Sequence, residues 1–307
     1  MCVIAIKKLE KYGWVGVKNR DRNYKCDIQI IQSNRNDIQR LYIDDTTSRW
    51  TEGINEFGVS ILSASFAVKS DEKEAGKIIS KTKNKKGKRF TQGYYAPDGK
   101  TIRVALFEKT PEAAAKILIE RELSGATIIF NNNEAYLLEG GFTVKLKNAS
   151  KENPREYIHK LVKLKDDDVI VRSNHGVLLP QLGYKKNTDD EYYKRARLSS
   201  DVRYEVALKE IKKENVLEPS DILNGISVSP NKDKFLNPIR TGNTEKKEMV
   251  TTGQLMIVPS DMTLHYRPLY SSVHFKYDKL NGPDAKTFFE IISSRKLLSF
   301  KEWTLTK

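Results

Sequence analysis

Apolar residues in the first third of the chain fall in short runs with a period near two, the pattern of strands separated by turns. Residues 2–6 form one run, 14–17 a second with Gly13 before it, and 27–32 a third in which Ile28 and Ile30 alternate until Ile31 breaks the pattern. Residues 58–68 predict a long strand. The period then lengthens. Thr110 is placed to cap a helix, Pro111 suits its first position and Glu112 suits the positive end of its dipole. Ala113, Ala114, Ile117, Leu118 and Leu123 follow near helical spacing, with Gly125 as the stop. Residues 127–130 and 134–138 predict a hairpin through Asn131-Asn132-Asn133, because asparagine tolerates positive φ. Residues 143–146 extend that sheet, and 169–172 form a further strand ending in the polar turn Ser173-Asn174-His175-Gly176. Ser200 is placed to cap a helix running through Lys213, and 220–225 is a shorter helix. A hairpin of 250–258 with 262–266, a strand at 272–277 and a late helix at 284–295 complete the chain. The polar stretches 182–200 and 228–248 read as long loops. The pattern predicts a mixed α and β fold with mainly antiparallel hairpins, in one domain over residues 1–307.

Composition narrows the class. With 38% hydrophobic residues spread over 307 positions the chain can form a core, which excludes disorder. The net charge of +14 allows an anionic partner without naming one. The basic run 80–90 holds Lys81, Lys83, Lys85, Lys86, Lys88 and Arg89. It reads as a solvated loop, and this loop and the late helix at 284–295 are both elaborations of the domain. Contact with nucleic-acid phosphates is the sharper reading, weakened because Phe90, Tyr94 and Tyr95 follow the cations instead of interleaving with them. No apolar stretch approaches the ~18 residues of a membrane span. Lys7 and Lys8 come too early for a signal peptide. Two cysteines build no disulfide framework, which predicts a reducing, cytoplasmic setting, and with four scattered histidines they offer no metal-ligand spacing. No cofactor is expected.

The candidate chemistry begins at Cys2. Removal of the initiator methionine leaves a thiol and a free α-amine on one residue, with ordinary pKa values of ~8.5 and ~7.7–8.0. The amine can then take the thiol proton, so one residue supplies nucleophile and base. A hairpin returning residue 17 beside Cys2 brings Asp21 within reach of the amine as an orienting carboxylate. Lys18 or Arg20 nearby would favour the thiolate. The plain alternative is a small buried residue in an N-terminal strand beside a charged surface turn.

Three segments together resemble a family: Met1-Cys2-Val3-Ile4, Lys18-Asn19-Arg20-Asp21, and Gly53-Ile54-Asn55-Glu56-Phe57-Gly58-Val59-Ser60. They are similar to the opening of the N-terminal-nucleophile (Ntn) cysteine hydrolases. The nearest groups are the choloylglycine hydrolase and penicillin V acylase relatives, the acyl-CoA:6-aminopenicillanate acyltransferase-like proteins and the acid ceramidase-type amidases. Later segments agree in order: Asn132 to Glu139, Ser173-Asn174-His175, Ser199 to Tyr204, Thr251 to Ile257, and Thr263 to Tyr266. Each motif is loose, and their shared order over residues 2–277 carries the resemblance.

The resemblance implies an α+β fold, a four-layer αββα sandwich of two stacked, mainly antiparallel sheets. It implies Cys2 as nucleophile with its amine as base, Asp21 as the carboxylate anchoring that amine, Asn174 as an oxyanion donor, and Arg203 as electrostatic support. Lys18, Arg20 and Ser65 fall where substrate and oxyanion are supported. Lys18 stands where the family often has arginine, and Arg20 where it has a bulky residue, so both bear on substrate class. His175 reads as a structural histidine and Cys26 as a core residue. The implied activity is an amidohydrolase cleaving a non-peptide N-acyl amide through a thioester, acting on a small, polar or anionic molecule. An acyltransferase using the same site is one alternative. A silent Ntn-fold binding protein with a basic surface, working in a homo-oligomer or larger assembly, is another. An N-terminal-cysteine glutamine amidotransferase fits the later segments poorly.

Overall fold

The computed structural model describes residues 2–35, 37–66, 96–142, 156–184, 189–279 and 298–300. Its strands form two sheets. The first orders β10 (Val169–Arg172), β1 (Cys2–Leu9), β2 (Gly13–Arg22), β11 (Val250–Val258), β12 (Thr263–Pro268) and β14 (Leu298–Phe300), every neighbour antiparallel. The second orders β13 (Ser271–Lys279), β3 (Cys26–Arg35), β4 (Ile38–Asp45), β5 (Thr51–Asn55), β6 (Ser60–Ala64), β7 (Gly125–Phe130), β8 (Ala135–Phe142) and β9 (Tyr157–Lys163). Its neighbours are antiparallel except β13, which runs parallel to β3.

Strand alternation sorts the side chains into layers. Ile4, Ile6, Trp14, Leu255 and Ile257 of the first sheet share one core with Ile28, Ile30, Ile43, Leu62, Ile128 and Phe130 of the second. The residues between them point outward and are also buried. Val3, Ala5, Val15, Val17 and Met256 pack on Ala207 and Ile211 of α3 (Glu191–Ile211) and on Ile222 and Leu223 of α4 (Pro219–Gly225). Ile61, Ile129 and Leu138 pack on Ile102 of α1 (Ala96–Ala105) and on Ala114 and Leu118 of α2 (Pro111–Glu120). The result is the expected α+β sandwich, helices outside two stacked sheets. The sheets approach closely at Gly16, where a Cβ would lie 2.5 Å from the Phe130 ring and 2.8 Å from Leu62.

Several local expectations are corrected. Thr110 caps α2 through Ala113 N at 3.2 Å, but Gly125 opens β7 instead of stopping the helix. The 131–133 turn needs no positive φ: Asn131 Oδ1 accepts from the backbone N–H of Asn133 and Glu134, each at 2.9 Å. The long helix starts at Asp190, whose carboxylate caps Tyr192 and Tyr193, so Ser200 lies mid-helix and residues 191–200 are not loop. Of the strand predicted at 58–68, the structure describes 58–66, and only residues 60–64 are strand, β6. Strands β4, β5 and β9 and helix α1 carry no expectation from the pattern. The basic run 80–90, the strand at 143–146 and the helix at 284–295 lie outside the described residues.

Candidate active site

The β1–β2 pairing sets Cys2 opposite Arg20. Cross-strand partners share a face, so the Cys2 thiol lies in the layer between the sheets with the even-numbered residues of β2. Lys18 and Arg20 are each 1% exposed. Lys18 Nζ pairs with Glu52 Oε1 and donates to the Ser63 carbonyl at 2.6 Å. Arg20 bridges Glu52 Oε2 at 2.7 Å and Asp45 Oδ2 at 3.0 Å. Arg22 Nη1 lies 3.6 Å from Cys2 Sγ and donates to the Asp21 carbonyl at 2.8 Å. Its Nε lies 3.4 Å from Asp45 Oδ2 and donates to Tyr24 Oη at 3.1 Å. Burial alone would push the Cys2 thiol up, but the fields of Lys18 and Arg22 outweigh it and bring the thiol down to about 6. Burial also pushes Asp45 up, and there Arg20 and Arg22 prevail, holding it below the usual carboxylate range.

Odd-numbered residues of β2 face the helices. Asp21 Oδ1 accepts from Thr251 Oγ1 at 2.8 Å, and its Oδ2 pairs with Arg203 Nη1 at 3.1 Å. Arg240 Nε lies 3.8 Å from the same oxygen. Arg203, fully buried on α3, also donates to the Cys2 carbonyl at 3.3 Å and to Asn174 Oδ1 at 3.1 Å. That Oδ1 accepts the Cys2 main-chain N–H at 2.9 Å, and Asn174 Nδ2 donates to the Ser65 carbonyl at 2.8 Å. Residues 2, 21, 65, 174 and 203, far apart in sequence, therefore form one hydrogen-bonded cluster. Lys18 is joined to Cys2 through the field it exerts on the thiol, while Arg20 is committed to Glu52 and Asp45.

The turn that presents Asn174 is braced from two sides. Ser200 Oγ accepts from Asn174 N at 2.9 Å and meets His175 Nδ1 at 2.8 Å. Burial lowers His175 to about 4, the cation Arg197 adding to the effect, so the ring is neutral near pH 7 and serves the turn. Glu139 pairs with Arg172 at 2.7 Å and accepts the backbone N–H of Val177, Leu178 and Leu179, pinning the loop beyond Asn174. Arg22, Glu52, Asp45 and Arg240 carry no expectation from the sequence, and Thr251 enters it only as the start of the resembling segment 251–257. Alternation counted on from Lys18 reaches Arg22. No local signal marks the others. Among the described residues no group of three or more His, Cys, Asp or Glu side chains is placed to hold a metal ion, and no helix is long and apolar enough to cross a membrane.

No family model matches the sequence, and no curated protein does. Among solved structures, the C2A mutant of the conjugated bile acid hydrolase from Clostridium perfringens is 12% identical, with a TM-score of 0.46, over 98% of this chain and 97% of its own. An arginine-to-leucine variant of the same Clostridium perfringens hydrolase gives a TM-score of 0.42 at the same identity and coverage. The penicillin V acylase from Agrobacterium tumefaciens is 10% identical, with a TM-score of 0.37, over 87% of this chain and 83% of its own.

Proposed function

We propose that this protein is an amidohydrolase cleaving a non-peptide N-acyl amide of a small molecule, with Cys2 as nucleophile after removal of Met1. The observation that carries the reading is the convergence on Cys2. Its nitrogen is held by Asn174 at 2.9 Å, its carbonyl by Arg203 at 3.3 Å, and its sulfur lies 3.6 Å from a guanidinium. Freed by processing, that nitrogen is an amine whose position Asn174 Oδ1 fixes, while Asp21 holds Arg203 in place. The thiolate attacks the carbonyl carbon. The second N–H of the Asn174 amide, beside the one given to Ser65, stabilises the oxyanion, a contribution typically worth ~10²–10³ in rate. The α-ammonium protonates the leaving amine, and water, deprotonated by the regenerated amine, hydrolyses the thioester. An acceptor amine in place of water makes the same site an acyltransferase.

A silent binding role is the second reading, favoured by the burial of Cys2, which is 4% exposed. Intact-mass measurement separates the two. The active reading expects loss of Met1 and one acyl group on Cys2 after exposure to an N-acyl amide library, both turnover and adduct vanishing in Cys2→Ala. Turnover surviving in Cys2→Ala refutes the mechanism, and retained Met1 with no adduct supports the silent role.

A further inference from the structure

The inner face of β2 carries the cations Lys18, Arg20 and Arg22, and they meet two carboxylates, Glu52 and Asp45. Lys18 and Arg20 are closed off. Arg22 differs, because its side chain keeps 11% exposure. Its Nε and Nη1 are engaged by Tyr24, Asp45, the Asp21 carbonyl and Cys2 Sγ, whereas among the described residues Nη2 has no hydrogen-bond partner. With the thiol ionised, positive and negative groups balance in this layer. Acylation upsets the balance. The S–C bond forms, the C–N bond breaks, the amine leaves with the proton of the Cys2 α-ammonium, and the thioester is neutral. The cations then outnumber the carboxylates in a layer nearly closed to water, where uncompensated charge is costly.

We infer that Arg22 is a specificity-determining residue whose Nη2 side takes a carboxylate carried on the acyl group of the substrate, so that the amides cleaved are those of dicarboxylic half-acids. The inference rests on Cys2 being the acylated nucleophile. Nη1 of the same guanidinium is 3.6 Å from the sulfur, so a carboxylate a few bonds from the thioester carbonyl reaches Nη2. The planar fork suits a carboxylate, and the substrate charge replaces the one lost from sulfur.

Iodoacetate and iodoacetamide test this on the full chain. They differ by a carboxylate against an amide, and each alkylates a thiolate with loss of iodide. Peptide-resolved mass spectrometry at pH 9 follows Cys2 apart from Cys26. The ratio of iodoacetate to iodoacetamide rates at Cys2 should exceed that of a free cysteine by about tenfold or more, the scale of one charge-assisted hydrogen bond. Arg22→Gln should abolish the excess and Arg22→Lys restore part of it. A general loosening of the fold moves both rates together and leaves their ratio alone. A ratio no greater than that of free cysteine, an excess persisting in Arg22→Gln, or Cys2 inert to both reagents overturns the assignment. A second arm compares the N-succinyl and N-pentanoyl amides of one fluorogenic amine. The anion-selective ratio without a Cys2 thioester from either amide removes the amidase reading and leaves the anion site standing. Equal or faster turnover of the pentanoyl amide removes the anion site and leaves the amidase reading.

Discussion

At the residue scale the site is a thiol surrounded by fixed charge. A Cys2 thiol at about 6 lies well below the ~8.5 of an unfolded cysteine. The iodoacetamide rate at Cys2 should therefore rise through a midpoint near pH 6 and be flat above pH 8, which a rate profile resolves. The same shift bears on stability. Between the two values the unfolded chain holds the proton and the folded one does not, so this contribution is complete above about pH 8.5 and is lost as pH falls toward 6. Urea midpoints of wild type and Cys2→Ala should converge below pH 6 relative to their separation at pH 9. Arg203 anchors the other half of the cluster. Arg203→Met strips Asp21, Asn174 and the Cys2 carbonyl of a buried donor and should cost about 3–5 kcal/mol, read from the urea midpoint.

At the element scale, legibility follows what each buried face is made of. Strands β10 and β11 are legible to the residue because Val169–Val171 is an apolar run and β11 ends in the apolar run Leu255–Val258. Helix α3 is hidden over its first half because its buried face holds Ser199, Ser200 and Arg203 beside Ala196 and Ala207, so no apolar stripe shows. Strands β4 and β5 are hidden for the same reason, since they bury Arg40, Asp44, Asp45, Glu52 and Asn55. The polar residues that hide these elements are in part the ones that build the site. Cys2, Asp21, Asn174 and Arg203 are legible through ordered motifs, whereas Glu52 and Asp45 acquire meaning only once the second sheet is laid over the first. The cap of α2 offers a control remote from the chemistry. Thr110→Ala should lower stability by about 1 kcal/mol in urea unfolding while leaving the alkylation rate of Cys2 unchanged.

At the scale of the whole molecule, the sheets share one core and the ion network crosses between them. We propose that they unfold as a unit, as the single-domain reading expects. Trp14 lies between the sheets and Trp50 under the outer helices, so with the third tryptophan removed as Trp303→Phe, fluorescence should follow the same transition as far-ultraviolet circular dichroism. Two separated transitions would show that the sheets are independent. The net charge of +14 favours polyanions, and ions in solution screen exposed charges far more than they screen the buried pairs of this network. Added salt should weaken any adsorption to polyanions without moving the pH midpoint of the thiol.

Gly16, two positions before Lys18 on the same face of β2, turns this layered arrangement into a gauge. Phe130 and Leu62 leave no room for even a methyl there. The missing side chain fixes how far the cation-bearing strand stands from Glu52 and Asp45. Alanine at that position would act as a shim, prising the plates apart and stretching the ion pairs of Lys18, Arg20 and Arg22 with Glu52 and Asp45, with no reactive group altered.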